Sequence, residues 1–298
     1  MSATERYLLE RDGLVVDGPD AFSYLQGQLS QDLTGLAPGD STWSWVLAPA
    51  GKVDALLRVQ RVEEDRFVLD TDPGFGDALC ERLARFRLRT RVELSPALRP
   101  VLALRGAAVE VAAGDPTLAT LWRGAPASDL AVEAGRPETD QAGADRDGAG
   151  QLEAAGGWEA ARITAGVPVM GAELTERTIP AETGLVEATV SFTKGCYTGQ
   201  ELVARIDSRG GHVPRHLRLL RSARPLEVGT ELVDAGKVVA TVTSSASSGE
   251  ASAVALAYVA RSVEVGRHLD VDGVEVVVEQ LPPLQPGTTC HRGSDRTG

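Results

Sequence analysis

Lys194-Gly195-Cys196-Tyr197-Thr198-Gly199-Gln200-Glu201 gathers reactive side chains into one short stretch. A thiol, an ammonium, a phenol, an amide and a carboxylate surround two glycines. Apolar sequence flanks them, Val190 to Phe192 before and Leu202 to Ala204 after. Glycines at 195 and 199 permit a sharp turn or close approach of backbone to a ligand. The stretch reads as a binding loop leading into a short helix that carries Arg205. Cys196 is the candidate redox or transfer thiol, because a nearby ammonium favours the thiolate and Lys194 stands two positions away. The competing reading of a lone cysteine is a small buried hydrophobe, and no His/Asp pairing accompanies this one. Glu201 and Arg205, four apart, could also simply pair on a helix surface.

A metal is not expected. Cys196, His212 and His216 would need a helix for the histidines to share a face, and Pro214 interrupts it. No fourth ligand is apparent. Cys290-His291 forms no CxxC pair, whereas a bound iron–sulfur cluster needs several cysteines. The three cysteines, odd in number and widely spaced, point to a reducing compartment. The first residues are charged with no apolar stretch behind them, and no uninterrupted apolar run approaches ~20 residues. A cytoplasmic protein without a membrane span is expected. The net charge of -12 opposes direct nucleic-acid binding, which needs cationic surface. The Arg82 to Arg91 run reads as a solvated face.

The elements that must position these groups are legible in outline. A chain of 298 residues exceeds one comfortable core. Leu14–Val16 reads as a strand, and Asp20 as the cap of a helix presenting Phe22, Leu25 and Leu29. Ser41–Leu47 alternates as a half-buried strand. Residues 53–62 and 66–70 read as further antiparallel strands, 74–86 as a helix opened by Asp72-Pro73, and 92–94 and 100–104 as strands. Residues 129–157 are acidic and poor in branched aliphatics, so a mobile loop is expected. A helix starts near Trp158 and stops at Gly166-Val167-Pro168. Beyond Gly210-Gly211, five short apolar stretches between turns suggest a small β-barrel. The fold class is α+β.

The octet resembles the K-G-C-[YF]-x-G-Q-E signature of the YgfZ-type folate-binding proteins, relatives of the glycine-cleavage T-protein, an aminomethyltransferase. Tyr24 to Leu33 resembles their amino-terminal [FY]-[LM]-Q-G-Q-hydrophobic-x-x-D segment, whose Gln26, Gln28 and Asp32 the resemblance places near the opening. Gly51-Lys52 resembles their G-[KR] turn, and Trp158 to Pro168 the stretch before the signature. Only the acidic insert and the tail fall outside the resemblance. It implies a three-domain ring around tetrahydrofolate. Residues 1–39 and 98–211 would form a discontinuous folate-binding domain, 40–97 an inserted α+β unit, 212–283 the barrel and 284–298 a tail. It further implies Trp158 as a folate contact, with Arg162 a weaker candidate. Lys194, Tyr197, Gln200, Glu201 and Arg205 would line the site, because a pterin edge suits amide and carboxylate groups and glutamyl carboxylates suit Arg or Lys.

Two positions depart from the aminomethyltransferases. Their R-[IL]-E-A-G run reads Arg162-Ile163-Thr164-Ala165-Gly166 here, so Thr164 replaces the pterin-holding acid. Their catalytic aspartate in G-x-[VI]-[IL]-D falls one residue early, at Asp54, and a strand shifted by one faces the other side. The resemblance therefore implies a tetrahydrofolate-binding protein that supports assembly or repair of iron–sulfur client proteins, and through them tRNA modification. Cys196 would sit at the folate opening. Aminomethyl transfer is the alternative.

Overall fold

The computed structural model describes residues 4–106, 116–132, 155–285 and 289–290. The chain begins with β1 (Glu5–Leu9), β2 (Asp12–Asp17), α1 (Ala21–Gln28), β3 (Ser41–Leu47), β4 (Val53–Glu63), β5 (Arg66–Thr71), α2 (Gly76–Arg85), β6 (Glu93–Leu98) and β7 (Val101–Arg105). It continues through β8 (Thr117–Leu118), β9 (Ala127–Ala131), α3 (Ala155–Thr164), α4 (Val186–Thr189) and α5 (Gln200–Ser208). The remaining strands are β10 (Arg215–Ser222), β11 (Glu231–Asp234), β12 (Lys237–Gly249), β13 (Ser252–Ala260), β14 (His268–Val271), β15 (Val274–Glu279) and β16 (Thr289–Cys290).

Three antiparallel sheets organise these elements. The first has the order β16-β3-β4-β5-β2-β6. β2 lies between β5 and β6, so this sheet draws residues from both sides of the 39/40 boundary expected from sequence. Thr289–Cys290, expected in the tail, pairs with β3 at its edge. The second sheet, β1-β7-β9-β8, takes in Ala127–Ala131, where the acidic loop was expected to start. Most of that expected loop, 133–154, lies outside the described residues.

β3 differs from the half-buried strand its alternation suggests. All seven residues are buried, because both faces of the sheet are covered. Trp43, Trp45 and Leu47 pack with Leu121, Leu185 and Tyr197 on one side. Val46 packs with Leu25, Phe67 and Leu83 on the other, under α1 and α2. The small polar residues between them are satisfied: Ser44 Oγ, for instance, accepts from the Gln31 amide at 3.0 Å. Two expected caps are otherwise engaged. Asp20 makes no side-chain cap and instead accepts from Arg91. Asp72 accepts from Arg11 and from the Met170 amide.

The third sheet, β11-β12-β13-β10-β15-β14, curls until its edge strands β11 and β14 meet. Arg267 ties to Asp234 across that seam at 2.7 Å. The sheet is thus a nearly closed barrel. Ile163 of α3 packs with Leu217, Leu219, Val254 and Leu256 of its strands. The chain then leaves α3 through Gly166 at φ +65°, where an added Cβ would stand 2.5 Å from Leu281. Only glycine tolerates both that conformation and that approach. Among the described residues, no helix is long and apolar enough to cross a membrane.

Candidate functional site

The octet folds against α1 and the β3–β4 turn. Lys194 reaches into the end of α1, where its Nζ donates to the carbonyls of Gln26 and Leu29 at 2.7 Å each and of Gln31 at 3.0 Å. Three donors meet three carbonyls, one in the last turn of α1 and two in the segment that follows it. Burial pulls this ammonium down to about 8, with Asp32 acting in the opposite sense. The Tyr197 ring belongs to the core that holds Trp43 and Trp45, and burial pushes its phenol up to about 12. Gly199, at φ +81°, lies so close to β3 that a Cβ would meet the Ala48 carbonyl at 2.5 Å. Gln200 Oε1 turns back to accept from the Tyr197 amide at 3.2 Å. Glu201 occupies the first turn of α5, and both Glu201 and Arg205 are exposed. Cys196 is exposed as well.

The amino-terminal candidates join this face. Gln26 bridges Asp32 (2.7 Å) and the Leu33 amide (3.0 Å). The Thr34 amide, first among several donors, holds the Asp32 carboxyl below its ordinary range. Gln28 Oε1 takes a long contact from Arg82 at 3.4 Å. Arg82 also closes on Asp54 at 2.6 Å, beside a separate hollow of about 360 Å³ that includes Ala48, Pro49 and Phe86. Gln26, Asp32, Lys194 and Gln200 therefore spend polar atoms on one another and on the backbone, while Gln28 and Asp54 share Arg82.

Trp158 and Arg162 stand elsewhere, on α3. They line a cavity of about 500 Å³ between the three sheets, with Tyr7, Arg11, Trp43 and Asp72. None of the residues lining it comes from the octet. The octet, expected to frame the ligand opening, packs against α1 and the end of β3, where Lys194 bonds backbone carbonyls and Gly199 lies close to Ala48.

The cavity has an aromatic wall and a charged floor. Trp158 meets Tyr7 edge-on, with ring centroids 5.2 Å apart, and stacks on Trp122 at 5.5 Å. Across from them Trp43 lies under two guanidiniums, Arg11 at 5.5 Å and Arg58 at 5.3 Å. Arg11 pairs with Asp70 (2.6 Å) and Asp72 (2.7 Å). Burial alone would raise the Asp70 carboxyl, but Arg58 and Arg11 hold it below its ordinary range. Arg162 is buried at 2% exposure. Its donors go to both Glu159 oxygens, the Val167 carbonyl (2.8 Å), Glu173 (3.2 Å) and Ser244 Oγ (2.8 Å). Burial would lower this guanidinium, yet Glu159 and Glu173 hold it above its ordinary value. All five donors face protein acceptors, so Arg162 positions Glu159. The Glu159 carboxylate keeps 42% exposure and borders the cavity.

Sequence reading missed Tyr7, Arg11, Trp43, Asp72 and Glu159 as cavity residues. The only signals were aromatic and charged residues near strand ends, and nothing local says which strands converge. Thr164, where the resemblance places a lost acid, donates to its own helix at the Ala160 carbonyl (2.7 Å). Among the described residues, no cluster of three or more His, Cys, Asp or Glu could hold a metal.

No family model matches the chain. It is similar to an uncharacterised protein of Haemophilus influenzae, 28% identical over 239 residues that cover 78% of this chain and 77% of that one. The tRNA-modifying protein YgfZ of Cronobacter sakazakii is 30% identical over 216 residues, and that of Klebsiella pneumoniae 29% over 215. Each alignment covers 66% of this chain and 65% of the YgfZ protein, just under two thirds of its length. The fold matches the crystal structure of the glycine cleavage system aminomethyltransferase T from Bartonella henselae, with a TM-score of 0.76 over 93% of this chain and 86% of that one at 22% identity. With the octet intact and the three-sheet fold in place, the chain is similar in sequence to the YgfZ proteins over about two thirds of its length and has the T-protein fold.

Proposed function

We propose that the protein binds tetrahydrofolate, with the ring in the cavity beside Trp158, and supports the assembly or repair of iron–sulfur client proteins. The observation that carries the binding reading is the aromatic wall of Trp158 and Tyr7 with a positioned Glu159 carboxylate at its edge. A reduced pterin fits this set. Its faces suit stacking, its amidine-like edge donates to a carboxylate, and about 500 Å³ lies within the usual range for small-ligand sites. Bound tetrahydrofolate would bring amine nitrogens able to carry one-carbon units. The chain's own residues bind and orient it: Trp158 and Tyr7 hold the ring, Glu159 reads its edge, and Arg162 fixes Glu159.

The iron–sulfur reading rests on the similarity to the YgfZ proteins and on an exposed Cys196 able to meet a partner protein. Effects on tRNA would be indirect, because a net charge of -12 opposes RNA binding. Aminomethyl transfer remains the second reading, favoured by the fold. Against it, Asp54 is closed by Arg82 and Thr164 bonds within its own helix, so neither expected position offers a free carboxylate.

Titration with tetrahydrofolate, followed by tryptophan fluorescence, tests the binding. Trp158→Ala should weaken it at least about tenfold, the equivalent of one lost stacking contact of about 1.5 kcal/mol. Absence of binding by the parent protein rejects the reading. Cys196→Ala in the host, with an iron–sulfur enzyme assayed, tests the thiol; unchanged enzyme activity rejects its role.

A further inference from the structure

The arginine run at 82–91, which reads in sequence as a solvated face, is largely exposed but unevenly paired. Between Glu81 and Glu93 the chain carries five arginines and no acid, in a protein of net charge -12. Two of the five are engaged within the chain. Arg82 closes on Asp54 and donates to the Leu47 carbonyl at 2.8 Å, and Arg91 pairs with Asp20 at 3.0 Å. Arg85, Arg87 and Arg89 have no carboxylate partner among the described residues; Arg87 donates to the Val92 carbonyl at 3.0 Å. Two apolar side chains alternate with these cations, Phe86 at 38% and Leu88 at 82% exposure. Every residue from Ala84 to Arg89 is exposed. The ribbon is nonetheless anchored at both ends. The Tyr24 hydroxyl donates to the Leu83 carbonyl at 2.5 Å, and the Arg91 amide to Asp20 at 2.8 Å. Between the anchors Arg89 is held at φ +60°, a conformation that side chains other than glycine seldom adopt.

The ribbon borders the hollow of about 360 Å³, which Phe86, Arg82 and Arg85 line together with Pro49 and Leu79. Arg82 covers the Phe86 ring at 4.2 Å. Ala48 lines the same hollow, and its carbonyl lies against Gly199 of the octet. Single exposed apolar side chains are ordinary, but arginine and aromatic residues grouped at an apolar hollow are the composition of a protein interface. We propose that the hollow and the 84–89 ribbon dock an acidic segment of a partner protein. Its carboxylates would meet Arg85, Arg87 and Arg89, and its apolar side chains Leu88 and the hollow beside Phe86. Charge complementarity selects this occupant. Guanidinium and carboxylate form charge-assisted pairs, and the rest of an acidic surface repels an acidic partner, which leaves the ribbon as its landing place. An RNA strand meets the same repulsion over a longer length and has no side chain to fill the apolar hollow. The inference stands apart from the tetrahydrofolate reading, and it puts the partner surface next to the octet that bears Cys196.

The test follows the fluorescence anisotropy of labelled peptides. The probe EDLEEFED carries both acids and apolar side chains, QNLQQFQN lacks the charge, and EDGEEGED lacks the apolar side chains. The parent protein should bind the first about tenfold or more tightly than either of the others, and less tightly as salt is raised. Arg85→Glu combined with Arg89→Glu should weaken the first probe about tenfold or more, and Leu88→Ser about threefold or more. All three substitutions fall at exposed positions, so urea midpoints should match the parent. Titrations with tetrahydrofolate should be unchanged as well, which keeps failure of the docking surface distinct from failure of the folate reading. No binding of EDLEEFED by the parent up to about 1 mM overturns the proposal, as does equal affinity for the three peptides or full affinity in the double variant. Tighter binding of octauridylate than of EDLEEFED overturns it in favour of a nucleic acid. A parent dimer that the double variant dissociates, read by sedimentation, overturns it in favour of a second copy of the chain.

Discussion

Replacing Lys194 with methionine tests whether the signature lysine is a structural clamp. In the parent protein its ammonium bonds three carbonyls at 2.7, 2.7 and 3.0 Å. Hydrogen bonds to a charged donor contribute about 1.5 kcal/mol each at the low end of their range, so roughly 4–5 kcal/mol is at stake. Burying the ammonium opposes this. A pKa lowered to about 8 corresponds to a cost of roughly 3 kcal/mol, which solvent at a partly exposed side chain reduces to roughly 2. Methionine keeps the aliphatic stem, removes the charge and orphans the carbonyls. The net expectation is a loss of about 2–3 kcal/mol in urea denaturation followed by tryptophan fluorescence, with an unchanged slope against denaturant. Alkylation of Cys196 by iodoacetamide should quicken as the loop loosens. A stability change within about 0.5 kcal/mol would refute the clamp and restore the reading in which Lys194 serves the thiol or a ligand.

Three further outcomes follow from buried charge and exposure. Asp70→Asn leaves Arg58 and Arg11 short of a partner and should cost about 3–5 kcal/mol. Because Asp70 titrates below its ordinary range in the folded chain, its stabilisation is complete above about pH 4 and is lost as pH falls through the lower folded value. The variant's melting temperature should accordingly fall less steeply than the parent's below about pH 4. Arg162→Leu strands the fully buried Glu173, so a loss of about 3–5 kcal/mol in urea denaturation is expected; a loss under about 1 kcal/mol would show that Glu173 finds another partner. Cys196→Ser, at an exposed position, should leave the urea midpoint within about 0.5 kcal/mol of the parent.

Local pattern carried far in this chain where one element meets one core. The span of β3 and the stop of α3 at Gly166 follow from alternation and from glycine placement. Pattern failed where two layers meet. β3 alternates as though one face met water, yet Thr42 and Ser44 are buried, and Ser44 bonds Ser30 and the Gln31 amide. β2 reads as a lone short strand, and nothing near it says that it inserts between β5 and β6. The site divides in the same way. A contiguous signature is legible as a signature, so the octet stands out. The cavity is built from Tyr7, Trp43, Asp72 and Glu159, which are scattered along the chain and meet only through long-range pairing. Arg162 shows the limit most sharply. Its residue type suggests a ligand contact, but five acceptors from three segments engage its donors, a fact of closure that no window of sequence contains.

The two candidate regions are joined by one face of β3. Trp43 walls the cavity, Trp45 bonds Thr189 at 2.6 Å beneath it, and Leu47 backs Gly199 of the octet. Four residues of strand at about 3.3 Å each separate the ends by about 13 Å. That strand is buried along its length and hydrogen-bonded to β4, so it is too rigid to bring the loop to the cavity. While both keep these positions, Cys196 and the cavity beside Trp158 belong to separate regions of the structure. Either the ligand binds without a chemical step at the thiol, or loop and cavity serve different molecules, one folate-like and one a partner protein. Labelling tests the separation itself. Bound tetrahydrofolate should leave the rate of Cys196 alkylation unchanged if the regions are separate, and strong protection of the thiol by ligand would show that the loop and the cavity act on the same molecule.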